Sequence, residues 1–95
     1  VSVIGGETYE LSAWLKSEVT APGRVQMKVE FYQDVTGVEG YVADVNSPSY
    51  GRLEDWEKVN MSFEIPEEAN LAVVHLRVYG PGTAYFDDVF MGIVK

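Results

Sequence analysis

Two adjacent carboxylates, Asp87 and Asp88, lie inside the aromatic, β-prone run Tyr85-Phe86-Asp87-Asp88-Val89-Phe90. An ionised carboxylate left alone in apolar surroundings costs several kcal/mol, so one of the pair must be hydrated or paired. Elsewhere the reactive inventory is thin. Fifteen Asp and Glu residues could supply a glycosidase acid–base couple, but no two are set apart by their context. Ser12 and Ser62 lie in strand-like runs without a nucleophile-elbow turn. Gly80-Pro81-Gly82 is too short to cradle a phosphate and opens no helix. His75 is the single histidine, and without a positioned partner a lone histidine reads as a polar surface residue rather than a general base. Cysteine is absent, which removes thiol nucleophiles, disulfides and zinc–thiolate sites. The residues point away from catalysis and toward binding.

Charge narrows the partners. Seven basic against fifteen acidic residues leave a net charge of −8 over 95 residues. Nucleic acid requires a basic footprint and an anionic membrane surface requires the same, so neither is expected as a partner. The longest apolar run falls short of the roughly 20 residues that span a bilayer, and these 95 residues hold no signal-peptide pattern, as expected of a mature module or a piece of a longer protein. Hydrophobic residues make up 46% of the chain, enough for a folded domain, and 95 residues suit a single core.

The elements that must position these side chains read as strands, because apolar residues recur with period two. In residues 7–16, Tyr9, Leu11, Ala13 and Leu15 share one face. In 24–33, Val25, Met27, Val29 and Phe31 face one way, with Arg24, Gln26, Lys28, Glu30 and Tyr32 on the other side. Residues 56–65 set Val59, Met61, Phe63 and Ile65 against Lys58, Asn60, Ser62 and Glu64. Residues 71–79 set Ala72, Val74, Leu76 and Val78 against Val73, His75, Arg77 and Tyr79. Strands are also expected over 83–94 and, more briefly, 41–46. Turn residues separate them at Gly5-Gly6, Ala21-Pro22-Gly23, 37–40, 47–51, 66–70 and Gly80-Pro81-Gly82. Nothing shows helical periodicity. The fold class is therefore all-β, an antiparallel sandwich. Its expected core is Leu11, Val25, Met27, Val29, Phe31, Val59, Phe63, Val74, Leu76 and Val78.

Several separated motifs carry a family resemblance. They are Gly6-Glu7-Thr8-Tyr9 followed by Leu11-Ser12-Ala13-Trp14-Leu15-Lys16, the strand ending Phe31-Tyr32-Gln33-Asp34 before Gly37, Asp55-Trp56 with Val59 and Phe63-Glu64-Ile65-Pro66, and Phe86-Asp87-Asp88-Val89. Together they resemble the extracellular carbohydrate-binding modules of families four, nine and twenty-two, which are jelly-roll sandwiches of the galactose-binding type. The resemblance runs over nearly the whole chain and matches roughly the C-terminal two-thirds of such a module. It implies that N-terminal strands are missing, so that the sandwich closes with fewer strands, self-associates, or takes strands from a partner segment.

The resemblance also implies a site. Polysaccharide or oligosaccharide lies on the concave sheet, here 24–33, 41–46 and 71–79, against Gln26, Lys28, Glu30, Tyr32, Tyr41, His75, Arg77 and Tyr79. A sugar ring offers an apolar C–H face to an aromatic plane and hydroxyls to polar groups. Read without a ligand, the same face is a solvated sheet surface held by cross-strand pairs such as Glu30 with Arg77 or Lys28. Trp14 belongs to the opposite sheet as surface packing, and Trp56 covers one end of the sandwich. By resemblance Asp87 is the position for a structural calcium, with Asp88 its neighbour; calcium takes six to eight oxygen ligands, and the upstream ones are lacking. The expected function is a non-catalytic module of a secreted bacterial glycoside hydrolase or a cell-surface protein. The alternative is a structural or interaction sandwich that assembles through an open sheet edge.

Overall fold

A computed structural model describes residues 1–35 and 38–94. Six strands follow one another: β1 (Thr8–Val19), β2 (Arg24–Val35), β3 (Val38–Asn46), β4 (Leu53–Glu64), β5 (Leu71–Tyr79) and β6 (Gly82–Ile93). They form two three-stranded antiparallel sheets in the orders β4-β1-β6 and β3-β2-β5. The all-β antiparallel sandwich expected from period-two alternation is the observed fold.

Apolar rows close on each other between the sheets. Leu11, Ala13 and Leu15 of β1 and Val25, Met27, Val29 and Phe31 of β2 are buried, together with Val59, Phe63 and Ile65. The Phe31 and Phe63 rings meet from opposite sheets at a centroid separation of 5.7 Å, tilted by 47°, an arrangement that lets a ring edge approach a ring face. Two buried serines find partners inside the sandwich. Ser17, fully buried where the β1–β4 register slips, donates from Oγ to the Gly51 carbonyl at 2.6 Å and accepts from the Leu53 amide at 3.0 Å. Buried Ser47 accepts from the Met27 amide at 2.9 Å.

Strand bounds shift from the expected ones. β1 runs on to Val19, β4 begins at Leu53 and β3 at Val38. Backbone pairing in a ladder does not need apolar alternation, and it extends each strand past its periodic stretch. Of the turn expected over 37–40, Gly37 lies outside the described residues and Gly40 is already paired with Gln33.

Two expected core residues are not buried. Leu76 and Val78 are each 39% exposed, while Val74 is half-buried and Ala72 is fully enclosed. All four share the inward face of β5, but β5 has β2 on one side only, and cover thins along the strand. Trp56 likewise does not close an end of the sandwich. It sits inside β4 and is exposed.

Candidate functional site

Antiparallel register builds the outward face of β3-β2-β5 row by row. Residues directly opposite share a face, so Arg24 lies beside Tyr79 and Gln26 beside Arg77. Lys28 stands between Asn46 and His75, Glu30 between Asp44 and Val73, and Tyr32 between Tyr41 and Leu71. All eight residues expected in the site, Gln26, Lys28, Glu30, Tyr32, Tyr41, His75, Arg77 and Tyr79, thus occupy one sheet face. Trp14 belongs to the other sheet, opposite Lys58 and Asp87.

A polar network crosses the middle of this face. His75 Nε2 contacts Glu30 Oε1, and Lys28 Nζ lies 3.6 Å from Glu30 Oε2 and 3.6 Å from Asp44 Oδ2. The Lys28 and Glu30 side chains are each only 18% exposed, so neighbours rather than bulk water set their positions. Glu30 therefore pairs with Lys28 and His75. The expected pairing of Glu30 with Arg77 does not form, because Arg77 Nη1 donates instead to the Tyr79 hydroxyl at 3.0 Å. That hydrogen bond, strongest among its influences, raises the Arg77 pKa further.

Rings flank the network at both ends. At one end the Arg24 guanidinium lies 4.3 Å from the Tyr79 ring centroid, a cation–π contact that holds the ring in place. At the other, Tyr32 and Tyr41 stand edge to face at 5.9 Å and 79°. Tyr41 is 57% exposed and offers the freest aromatic surface. Its hydroxyl donates to Asp44 Oδ2. This bond to an anion pushes the Tyr41 pKa up to about 12 and, reciprocally, pulls Asp44 below the usual carboxylate value.

Three participants were absent from the expected set: Arg24, Asp44 and Asn46. Arg24 was legible, being in step with Gln26 on β2. Asp44 was not, because even spacing from Tyr41 fails there. The β2–β3 register slips between Phe31 and Tyr32, leaving Val42 as an extra residue between Tyr41 and Ala43. A bulge of this kind returns Tyr41 and Asp44 to the same face.

The face is a platform rather than a pocket. A depression of about 340 Å³, bounded by Ser2, Val3, Asp34, Asn70 and Leu71, includes none of the eight residues. The face presents aromatic planes beside carboxylate, ammonium, imidazole and guanidinium groups.

Asp87, the position for a structural calcium by resemblance, is exposed on β6 beside Asp88. Asp88 adopts a positive φ of 48° and its amide donates to Asp87 Oδ1 at 2.9 Å, so the first carboxylate steadies the irregular backbone made by the second. Register against β1 slips at this point. Among the described residues no three His, Asp or Glu side chains gather closely enough to hold a metal.

No protein-family profile and no curated protein sequence matches the chain. Solved structures do. The chain is similar to "Family 16 Carbohydrate Binding Module-2", with a TM-score of 0.68 at 18% identity over 97% of this chain and 64% of that one. It is also similar to "CBM4 structure and function", with a TM-score of 0.59 at 21% identity over 99% of this chain and 57% of that one. The chain therefore spans less than two thirds of either solved chain, and at such identities the likeness is one of fold.

Proposed function

We propose that this chain is a non-catalytic carbohydrate-binding module that takes polysaccharide on the outward face of β3-β2-β5. The observation that carries the reading is the row of Tyr32, Tyr41 and Tyr79 framing a network of Lys28, Glu30, Asp44, His75 and Arg77 on one open face. Sharing a fold with two solved carbohydrate-binding modules supports it. A sugar stacks its C–H face on an exposed tyrosine and exchanges hydroxyl hydrogen bonds with the charged groups, which are already oriented by one another and lose little freedom on binding.

In this reading the module is secreted and serves a glycoside hydrolase or cell-surface protein by raising its local concentration on a polymer. Affinity of such a shallow face falls between roughly millimolar and micromolar, about −4 to −8 kcal/mol. Titration of the labelled chain with soluble β-glucan, xylan and mannan, followed by NMR, tests the proposal. Shifts centred on these residues support it. Silence from all three polymers defeats it.

A further inference from the structure

The tyrosine end of the β3-β2-β5 face opens into a recess. Tyr32 stands between Tyr41 and Leu71, and Ser2 bridges Leu71 on its far side, so one row crosses the sheet from Tyr41 to Ser2. Asp34 follows Tyr32 by two places on β2 and therefore shares its face. The depression of about 340 Å³ bounded by Ser2, Val3, Asp34, Asn70 and Leu71 lies at this corner, continuous with the platform. Its size is at the small end of the range for ligand pockets, room for one compact unit rather than for a chain running through.

Asp34 is the unusual wall of this recess. Asn70 grips its main chain twice: Asn70 Oδ1 accepts from the Asp34 amide at 2.9 Å, and Asn70 Nδ2 donates to the Asp34 carbonyl at 3.0 Å. The Asn70 amide in turn donates to the Tyr32 carbonyl at 3.0 Å. These bonds fix the backbone and leave the carboxylate over. Among the described residues, Asp34 Oδ1 is the one buried side-chain oxygen or nitrogen without a hydrogen-bond partner. An acceptor withdrawn from water and given no donor weakens the fold, a charged one more than a neutral one. A ligand that brings the donor relieves that cost.

We propose that the recess takes one sugar unit of the glycan and that Asp34 binds it, accepting a hydroxyl hydrogen while Tyr32 and Tyr41 carry the neighbouring units. The inference rests on the reading of this face as a sugar platform and adds to it a pocket lined by other residues. The last torsion of an aspartate is soft and roughly two-fold, so a turn of the carboxylate brings the orphaned oxygen to the opening that Asp34 lines. A hydroxyl that donates to a carboxylate makes a short, charge-assisted bond. Ser2 adds a hydroxyl on the opposite wall, where a second sugar oxygen can pair. A site built this way rejects a unit whose hydroxyl is missing at that depth, because the carboxylate then stays unpaired.

Isothermal titration of Asp34→Ala, with whichever of β-glucan, xylan and mannan the platform binds, tests the pocket separately from the platform. Affinity is expected to fall roughly tenfold. The melting temperature of the free variant should not fall, because the bonds to Asn70 run through the main chain of residue 34 and a buried unpaired acceptor is gone. In the unaltered chain, NMR signals of Asp34, Asn70 and Leu71 should shift together with those of Tyr32 as glycan is added. Unchanged affinity in Asp34→Ala, or silence of those three residues while Tyr32 and Tyr41 respond, overturns the inference and leaves the sugar platform standing. A lower melting temperature, or loss of the fold, in the variant overturns it as well, since the carboxylate then serves the fold itself. A chain that responds to none of the polymers at any residue defeats platform and pocket together.

Discussion

Tyr41 donates its hydroxyl proton to Asp44 although three positions separate them, an interval that puts two residues on opposite faces of a regular strand. The bulge at Val42 makes the contact. It aims an exposed ring and a carboxylate at the same solvent, and the carboxylate in turn holds Lys28. One inserted residue thus links the aromatic end of the face to its charged centre.

Titration of Tyr41 checks this relationship directly. The phenol is expected to ionise near pH 12, followed by its ultraviolet absorbance, and Asp44→Asn should return it toward the ordinary tyrosine value of about 10. Because the folded pKa of Tyr41 is raised, its contribution to stability is complete below about pH 10 and is lost as pH climbs toward 12. Asp44 behaves in the opposite sense. Its pKa is depressed, so its contribution is present above about pH 4 and disappears as pH falls further. An unchanged Tyr41 titration in Asp44→Asn would show that the pair does not persist in solution.

Core substitutions should separate the closed part of the sandwich from its open flank. Phe63→Ala removes a buried ring packed on Phe31 and should cost roughly 3–5 kcal/mol, much of the stability of a small domain. Leu76→Ala removes a side chain that already meets water, and urea denaturation should report well below the roughly 2–5 kcal/mol of a buried leucine. Equal losses at the two positions would mean that Leu76 is enclosed.

Sugar binding, where it occurs, should depend on residues at both ends of the face. Tyr41→Ala removes the freest stacking plane and Arg77→Ala a guanidinium held by Tyr79; each should weaken affinity by about tenfold, near 1.4 kcal/mol. Trp14→Ala lies on the other sheet and should leave affinity unchanged in isothermal titration. For a neutral glycan the constant should vary little with salt, since no charge is neutralised. A ligand lost with Trp14 and kept without Tyr41 would move the site to the β4-β1-β6 sheet.

Glycines at two turns should respond in opposite directions. Gly82 has a φ of 137°, and a Cβ there would lie 2.4 Å from the Glu18 carbonyl oxygen, so Gly82→Ala should destabilise by more than about 1 kcal/mol. At Gly51 nothing lies within 4 Å of an added Cβ, and Gly51→Ala should be neutral or stabilise by up to about 1 kcal/mol through the unfolded chain. Thermal melts of the two variants provide the comparison.

The sequence alone determined the sandwich and the membership of its main face. Period two in Val25, Met27, Val29 and Phe31 fixes which side of β2 is dry, and the same alternation commits Gln26, Lys28, Glu30 and Tyr32 to the other side, because side-chain direction in a strand is a local property of the backbone. Which partners those residues find is not local. Glu30 could have met Arg77 or Lys28 on sequence grounds. Lys28, two places away on its own strand, does meet it, but register set His75 diagonally across from it, and Arg77 turned to Tyr79 instead. Asp44 entered through a bulge that no periodicity records. Leu76 and Val78 carry the same apolar signal as buried Val29, yet they stand on an edge, and burial depends on what another part of the molecule lays over them. Direction was written residue by residue; contact and cover belong to the tertiary structure, where strands far apart in sequence decide which surfaces meet.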